Sequence, residues 1–375
     1  MTKSHSGVEG DPNKLRGLVS RAMLAEDARW AMDVALSAGS DARVGPYFPL
    51  IMGHHFVRIA YEGAIAVRSS NPQVGVPSLA SLLEPEYDTI TARARHLTKL
   101  LDNTQKSYAD VLADLASEIQ THHQAFTGNA RHGAKWLETD LGLFVLEGWL
   151  IGGTIPIAYR FGFRPAPMAS VLDADIRSVS EEWGRTFRVL GAVTFDPSAP
   201  SSSLNFSDVH IRQRDRLTSK YLRDRFDSQF AIELKVLLLL VEGDLNTSRL
   251  LLPQTKEGHE GPVFRAQVVT LYHCLSALKH INQAQKANDT PGLRRLRSLL
   301  ADQRTRRLLS RGGSKVRNRS VHYEINDPTI MPDIQRPPMY GLVESVYPER
   351  TFEEFEADMA DVAGLAAEFL AGWKP

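Results

Sequence analysis

Cysteine is nearly absent from this sequence, and Cys274 is the only one among 375 residues. A single cysteine forms no disulfide within the chain, and it excludes a cysteine-based metal site unless subunits share it. The first twelve residues contain no apolar run of the kind that a secretion signal requires. These absences favour a reducing compartment, and we expect the protein in the cytoplasm.

Long hydrophobic runs are scarce as well. The most apolar stretch, residues 141–158, contains Glu147 and is interrupted by Gly152, Gly153 and Pro156, whereas a transmembrane helix needs roughly 20 apolar residues. We therefore expect this stretch to pack in the interior, and we expect no membrane partner. With 43% hydrophobic and 23% charged residues, the composition is that of a globular protein, and the length favours two domains.

An excess of charge of one sign is missing from the chain as a whole, which has 44 basic and 44 acidic residues. Locally the balance is different, because residues 291–323 contain ten cations and only one acid, Asp302. A solvated helix face would normally carry acids four residues away from its bases. A segment with a net charge of +9 favours contact with the phosphates of a nucleic acid.

Motifs that would indicate other enzymes are absent. The sequence has no phosphate-binding P-loop, no dinucleotide fingerprint and no nucleophile elbow. The adjacent pairs His54-His55 and His122-His123 lack neighbouring cysteines or clustered carboxylates, so we expect neither pair to bind a metal. We accordingly expect no cofactor.

Apolar residues recur at helical spacing along nearly the whole chain, which predicts an all-α fold. The predicted helices span residues 14–38, 49–68, 86–126, 136–150, 173–190, 218–243, 263–287, 291–326 with a break at Gly312-Gly313, and 352–372. Residues 196–203 are rich in proline and serine, which is typical of a linker. We predict a helical domain over 1–195, a linker over 196–208 and a four-helix bundle over 209–375.

The segment Leu309–Ile325 carries the residues best suited to chemistry. We predict that Gly312-Gly313 ends one helix and that Ser314 caps the next. Arg317 would then lie near the third helical position, where free backbone N–H groups favour a phosphate. On such a helix Asn318 lies four residues before His322, so its amide would hydrogen-bond the imidazole and set its tautomer.

These groups suit the cleavage of RNA through its own 2′-hydroxyl. His322 would move a proton as base or acid, Arg317 would stabilise the charge of the transition state, and Asn318 would orient one of them. The only acids between residues 302 and 325 are Asp302 and Glu324, which is too few for a magnesium-dependent nuclease site. The pattern therefore predicts a metal-independent endoribonuclease.

Arg317-Asn318-x-x-x-His322 resembles the R-x(4-6)-H motif of the HEPN family, and the resemblance covers roughly residues 210–375. It implies a HEPN-like four-helix bundle with Arg317, Asn318 and His322 as the catalytic set. It also implies a homodimer in which two motifs face each other. The family includes RNA-cleaving toxins and proteins of phage defence and abortive infection, so an antitoxin or another regulator is a further expected partner.

Basic and aromatic residues around the motif are the candidates for RNA binding: Arg304, Arg307, Arg311, Lys315, Arg319 and Tyr323. Tyr323 either stacks on a base or covers the bundle. The leucine-rich run 236–241 either fills a core or forms a dimer interface. An alternative interpretation treats Arg317 as a surface ion-pair residue and His322 as a packing residue. The second half would then be a non-catalytic module that binds RNA or protein.

Overall fold

The computed structural model describes residues 12–70, 90–102, 106–128, 138–162, 180–190, 204–323, 325 and 330–374. Most of these residues are helical, which confirms the predicted all-α class, although one small sheet is present. The helices of the first half are α1 (Pro12–Gly39), α2 (Phe48–Ser70), α3 (Ile90–Leu97), α4 (Tyr108–Phe126), α5 (Thr154–Phe161) and α6 over residues 180–190. Those of the second half are α7 (Thr218–Arg225), α8 (Ile232–Asn246), α9 (Glu260–Ala284), α10 (Pro291–Ala301), α11 (Gln303–Leu308), α12 (Arg311–Val321) and α13 (Phe352–Ala371).

Three of the long predicted helices are divided. The predicted helix 86–126 breaks at a 3-10 turn, Leu100–Asp102, in which Leu100 has a left-handed φ of 52°, and α4 starts at a Ser107–Asp110 capping box. The predicted helix 218–243 breaks after α7, because the turn that follows brings two phenylalanine rings against Trp373. The third, 291–326, restarts at Asp302 and at Ser310, whose side chains cap α11 and α12.

The prediction of a helix over residues 136–150 is wrong, because most of the described residues in this range form a β-hairpin. Strand β1 (Leu141–Leu146) pairs with β2 (Trp149–Gly153), and both residues of the turn have left-handed φ, 52° at Glu147 and 88° at Gly148. Turns of this kind match the twist of a two-strand hairpin. Strand β3 (Arg212–Arg216) pairs with the other edge of β1, so the sheet has the order β2-β1-β3, with antiparallel neighbours.

The two predicted domains contact each other closely. Strand β3 of the second half pairs with β1 of the first, and the buried apolar residues of both halves form one cluster. Asn246 at the end of α8 donates its side-chain amide to the carbonyl of Leu150 at 2.9 Å. The predicted linker residues 196–203 lie outside the described residues. Phe206, predicted to belong to the linker, is buried 4.7 Å from the ring of Phe48.

Helix α8 crosses the centre of this core. From Leu234 to Asn246 every residue is buried, and the leucine-rich run 236–241 is at most 2% exposed. Of the two interpretations of that run, packing inside the chain is therefore correct.

A buried polar network ties the first half to the end of the motif helix α12. The carboxylate of Asp27 on α1 accepts hydrogen bonds from Arg58 at 2.7 Å, from Arg265 at 2.9 Å and from the Tyr323 hydroxyl at 2.6 Å. Arg58 also donates to the carbonyl of Ser320 at 2.9 Å. Charges buried in this way are tolerated because each one is paired and hydrogen-bonded. The network holds the chain on both sides of His322.

Candidate functional site

The motif helix α12 begins four residues earlier than predicted. Ser310, and not Ser314, is its N-cap, and its hydroxyl accepts hydrogen bonds from the N–H groups of Gly312 at 3.1 Å and Gly313 at 3.3 Å. The glycines lie inside the first turn, where a Cβ on Gly313 would come within 1.8 Å of the Leu308 carbonyl oxygen. They permit a close approach of two helices rather than causing a break.

This shift changes the surroundings of Arg317, which is the seventh residue of the helix that starts at Arg311. The unsatisfied N–H groups and the favourable dipole of a helix are confined to its first turn. The prediction that Arg317 holds a phosphate at a helix N-terminus is therefore wrong.

His322 lies just beyond the helix. Its φ of −99° and ψ of 129° are extended, and its N–H closes the last turn on the carbonyl of Asn318 at 2.9 Å. The predicted hydrogen bond between the side chains of Asn318 and His322 does not form. The Asn318 side-chain oxygen accepts instead from Arg317 Nη1 at 2.8 Å.

The partner of His322 is an acid that the sequence analysis missed. Nδ1 of His322 lies 2.7 Å from Oε2 of Glu62 on α2, and Glu62 also accepts a hydrogen bond from Nε of Arg95 at 2.7 Å. Burial by itself would raise the pKa of Glu62, but the hydrogen bond from His322 and the charge of Arg95 outweigh it and lower this pKa to about 2. Glu62 is therefore a carboxylate that accepts the Nδ1–H of His322.

This contact decides which nitrogen of the imidazole is available. When Nδ1 carries the proton donated to Glu62, Nε2 of the neutral ring is the acceptor. The His322 side chain is 50% exposed, whereas Glu62 is only 6% exposed. A signal for Glu62 existed in the sequence, because it is one of only two charged residues between Phe48 and Val67.

His322 and Glu62 line a groove of about 280 Å³ between α2 and the end of α12. We call it the motif groove, and its lining residues are Glu62, Ile65, Ala66, Lys315, Asn318, Arg319, His322, Tyr323, Ile325 and Ile330. Two members of the predicted catalytic set, Asn318 and His322, thus share one cavity with three members of the predicted RNA-binding set: Lys315, Arg319 and Tyr323. The groove brings together a proton acceptor, an amide and a cation.

Arg317 does not line the motif groove. Its guanidinium forms an ion pair with the Asp102 carboxylate and lies 4.6 Å from the centre of the Tyr272 ring. Cation–aromatic contacts of this kind hold a guanidinium in place. The structure therefore places two of the three predicted catalytic side chains in the motif groove. The third, Arg317, is hydrogen-bonded to Asn318 but forms its ion pair outside the groove.

Two of the predicted RNA-binding residues are buried, so their prediction is corrected. Arg319 donates Nη1 to the carbonyl of Leu342 at 2.7 Å and to the hydroxyl of Ser345 at 2.8 Å. Tyr323 is 3% exposed, and its hydroxyl donates to Asp27. Tyr323 therefore covers the bundle. Both side chains line the motif groove, but the Tyr323 hydroxyl and Nη1 of Arg319 are engaged within the chain.

Acids that are distant in the sequence form ion pairs with several cations of the basic segment 291–323 and offset part of its positive charge. Arg304 pairs with Asp361 at 2.8 Å, and Arg307 pairs with Asp358, both on α13. Arg311 and Lys315 are exposed, and no acid of the described residues forms an ion pair with either. They are the two predicted RNA-binding residues whose charge is most accessible.

No group of three or more histidine, cysteine or acidic side chains in the described part of the chain is placed to bind a metal. His54 and His55 are buried with ring centroids 3.8 Å apart, and burial lowers the pKa of both well below its usual value. Burial raises the pKa of the Cys274 thiol, which rules out a readily formed thiolate.

Comparison of the chain with protein-family models, with characterised proteins and with solved structures found no match. Among the described helices, none has both the length and the apolar character needed to cross a bilayer.

Proposed function

We propose that this protein is a metal-independent endoribonuclease that cleaves RNA in the motif groove. The observation that carries the proposal is the 2.7 Å contact between His322 Nδ1 and the buried Glu62 carboxylate, at a groove that Asn318 and Lys315 also line. A carboxylate that holds one imidazole nitrogen leaves the other free for proton transfer, as general base catalysis requires.

In the proposed reaction, Nε2 of His322 takes the proton of a 2′-hydroxyl. The 2′-oxygen forms a bond to phosphorus, the bond from phosphorus to the 5′-oxygen breaks, and that oxygen receives a proton from solvent. The products are a 2′,3′-cyclic phosphate and a 5′-hydroxyl. The Lys315 ammonium offsets the charge of the transition state, and Asn318 positions the phosphate by hydrogen bonding.

Arg317 takes part in this scheme by exchanging its partner. Its ion pair with Asp102 is partly exposed, at 15% for the arginine and 23% for the aspartate. A planar guanidinium binds two phosphate oxygens as readily as two carboxylate oxygens. We propose that a phosphate of bound RNA replaces Asp102, and that Arg311 adds a further contact.

The resemblance to HEPN proteins supports three related proposals. The active form is a homodimer with its motifs facing each other, the biological setting is phage defence or toxin–antitoxin biology with an antitoxin or regulator as partner, and the location is the cytoplasm. The first-half helices would restrain activity or select the RNA.

The contacts of Arg317 favour a second candidate function. An arginine held by Asp102 and Tyr272 has a structural role, as in a non-catalytic module that binds RNA or a protein partner. In that case Arg311 and Lys315 would supply the contacts, and His322 would serve only as a hydrogen-bond partner of Glu62.

A cleavage assay in EDTA tests the first function. Full-length protein is incubated with total RNA and with tRNA, and the product ends are analysed for 2′,3′-cyclic phosphate. We expect cleavage by the wild type and by His280→Ala, a control at an exposed histidine of α9, but not by His322→Ala. Strict dependence on Mg²⁺, or full activity of His322→Ala, would contradict it. RNA binding without cleavage, lost in Arg311→Glu/Lys315→Glu, would favour the second candidate.

A further inference from the structure

A second groove lies on the sheet, away from the motif, and has a volume of about 480 Å³. We call it the sheet groove. Its lining residues are Leu143, Val145, Glu147, Gly148, Trp149, Leu150, Arg214, Arg216, Tyr221, Arg225, Glu242 and Ala371. None of them lines the motif groove.

Two arginines of β3, Arg214 and Arg216, form one wall of the sheet groove, and Arg212 extends their row beyond it. All five residues of this strand are exposed, and Arg212, Arg214 and Arg216 project from the same face because side chains alternate along a strand. Consecutive members of the row are about 7 Å apart along the strand. Their partners across the ladder are the apolar residues of β1, with Leu143 opposite Arg214.

The charges of this row are not compensated. None of the three arginines forms an ion pair with an acid of the described residues, and the intervening Asp215 lies on the opposite face. The buried Glu242 is paired with Arg225 at 2.6 Å, so it does not neutralise the row. The remaining acid of the groove is Glu147, at the hairpin turn.

Two aromatic rings, those of Trp149 and Tyr221, also line the sheet groove. Trp149 and Tyr221 are partly exposed, and both already contact arginines: Arg249 lies 5.0 Å from the centre of the indole, and Arg225 lies 5.8 Å from the centre of the phenol ring. Rings backed by a cation in this way are rigid surfaces on which a nucleobase stacks.

We propose that the sheet groove binds single-stranded RNA, with phosphates along the β3 arginines and bases against Trp149 and Tyr221. A row of evenly spaced cations matches a linear chain of phosphates better than it matches one phosphate, and the rings match the bases between them. This inference rests on the proposed function only for the choice of RNA as the polyanion. The site would hold a substrate strand apart from the point of cleavage.

Fluorescence anisotropy with a labelled 2′-O-methyl octauridylate tests this site. The probe lacks the 2′-hydroxyl that cleavage requires, so binding is measured without turnover. We expect Arg214→Glu/Arg216→Glu to raise Kd at least ten-fold and Arg214→Gln/Arg216→Gln to raise it several-fold. The slope of log Kd against log salt should fall by about 1.4 in the glutamine variant, because each of the two lost phosphate contacts contributes about 0.7 on a single strand. Trp149→Ala should raise Kd at least five-fold.

The matched control is Arg21→Glu/Arg336→Glu, an equal change of charge at two exposed arginines that lie outside both grooves. It should change Kd less than two-fold, and all variants should keep the thermal unfolding midpoint of the wild type. Equal weakening by the control, or no weakening by the β3 variants, would overturn the proposal. So would competition by UMP or by hexaglutamate at the same concentration as the octamer.

Failure of this site is distinguishable from failure of the nuclease. If the protein cleaves no RNA but binds the octamer through Arg214 and Arg216, the sheet-groove proposal stands. The proposed nuclease function then fails. If the protein cleaves RNA but the β3 variants bind the octamer as tightly as the wild type, the sheet-groove proposal fails. The proposed function of the motif groove then stands.

Discussion

Arg317 and Asp102 form an ion pair although 215 residues separate them in the sequence. The pair joins the motif helix α12 to the 3-10 turn Leu100–Asp102, and Tyr272 on α9 covers the guanidinium. Under the proposed function, a phosphate of bound RNA would replace this carboxylate at Arg317.

Replacing Asp102 with asparagine should make Arg317 more available to RNA. A partly exposed ion pair contributes at most about 1 kcal/mol, so we expect kcat/KM for RNA cleavage to rise about five-fold. The measurement is the initial rate at low RNA concentration. Asp289→Asn, which releases the exposed Arg294 and Arg297, is the control and should have little effect. A fall to the rate of Arg317→Ala would mean that Asp102 positions the arginine for catalysis.

Glu62→Gln should lower kcat about 100-fold, within the range of general acid–base effects. The glutamine amide can donate to Nδ1 of His322, which would move the ring proton to Nε2 and remove the proton acceptor. KM should change little, because the side chain is buried behind the histidine. Rates and KM come from steady-state cleavage, with circular dichroism to verify folding.

The control for this substitution is Glu118→Gln. Glu118 accepts a hydrogen bond from His122 at 3.1 Å on α4, so the same chemical change is made at another glutamate–histidine pair. We expect wild-type cleavage there. If both variants lose activity to the same extent, the effect of Glu62 is one of general stability and not of the site.

Acid should destabilise the fold through Glu62 in a defined range of pH. The pKa of Glu62 is lowered from 4.5 to about 2 in the folded protein. The ionised carboxylate therefore contributes fully to the free energy of unfolding above pH 4.5, and this contribution is lost as pH falls toward 2. At about 1.4 kcal/mol per pKa unit, the loss is on the order of 3 kcal/mol. Urea unfolding at several pH values measures it. The difference in the free energy of unfolding between the wild type and Glu62→Gln should shrink over this range. A difference that stays constant with pH would contradict the lowered pKa assigned to Glu62.

Gly313→Ala should destabilise the protein by about 1 to 3 kcal/mol, because the new Cβ would meet the Leu308 carbonyl oxygen at 1.8 Å and force α11 and α12 apart. Gly364→Ala is the matched control. It lies inside α13 with no neighbouring atom within 4 Å of an added Cβ, so it should stabilise the protein by about 0.5 to 1 kcal/mol. Thermal and urea unfolding give both values, and equal effects would refute the role assigned to Gly313.

The long helices were predictable because their signal is local. The predicted ranges 14–38, 49–68, 263–287 and 352–372 each agree with a helix of the structure to within a few residues. Each contains several turns of apolar residues at the helical period. The hairpin at Leu141–Gly153 was not predictable in this way, since a short apolar run fits a buried strand as well as a buried helix.

The same distinction between local and long-range information applies to the candidate site. His322 and Asn318 could be selected from a six-residue motif, and the structure places both in the motif groove. Glu62 could not be assigned to them, because it precedes His322 by 260 positions in the sequence. Two serines were also available as caps near Gly312-Gly313, and local propensity did not distinguish Ser310 from Ser314.

The sequence by itself determined that this chain is helical, that residues 291–323 carry a local excess of positive charge, and that Arg317, Asn318 and His322 form its best candidate motif. Only the tertiary structure decided how those side chains are used. It paired His322 with Glu62, turned Arg317 to Asp102, and buried Arg319 and Tyr323. The physical reason is that a hydrogen bond or an ion pair depends on distances of a few ångströms, and packing sets those distances between residues far apart in the chain.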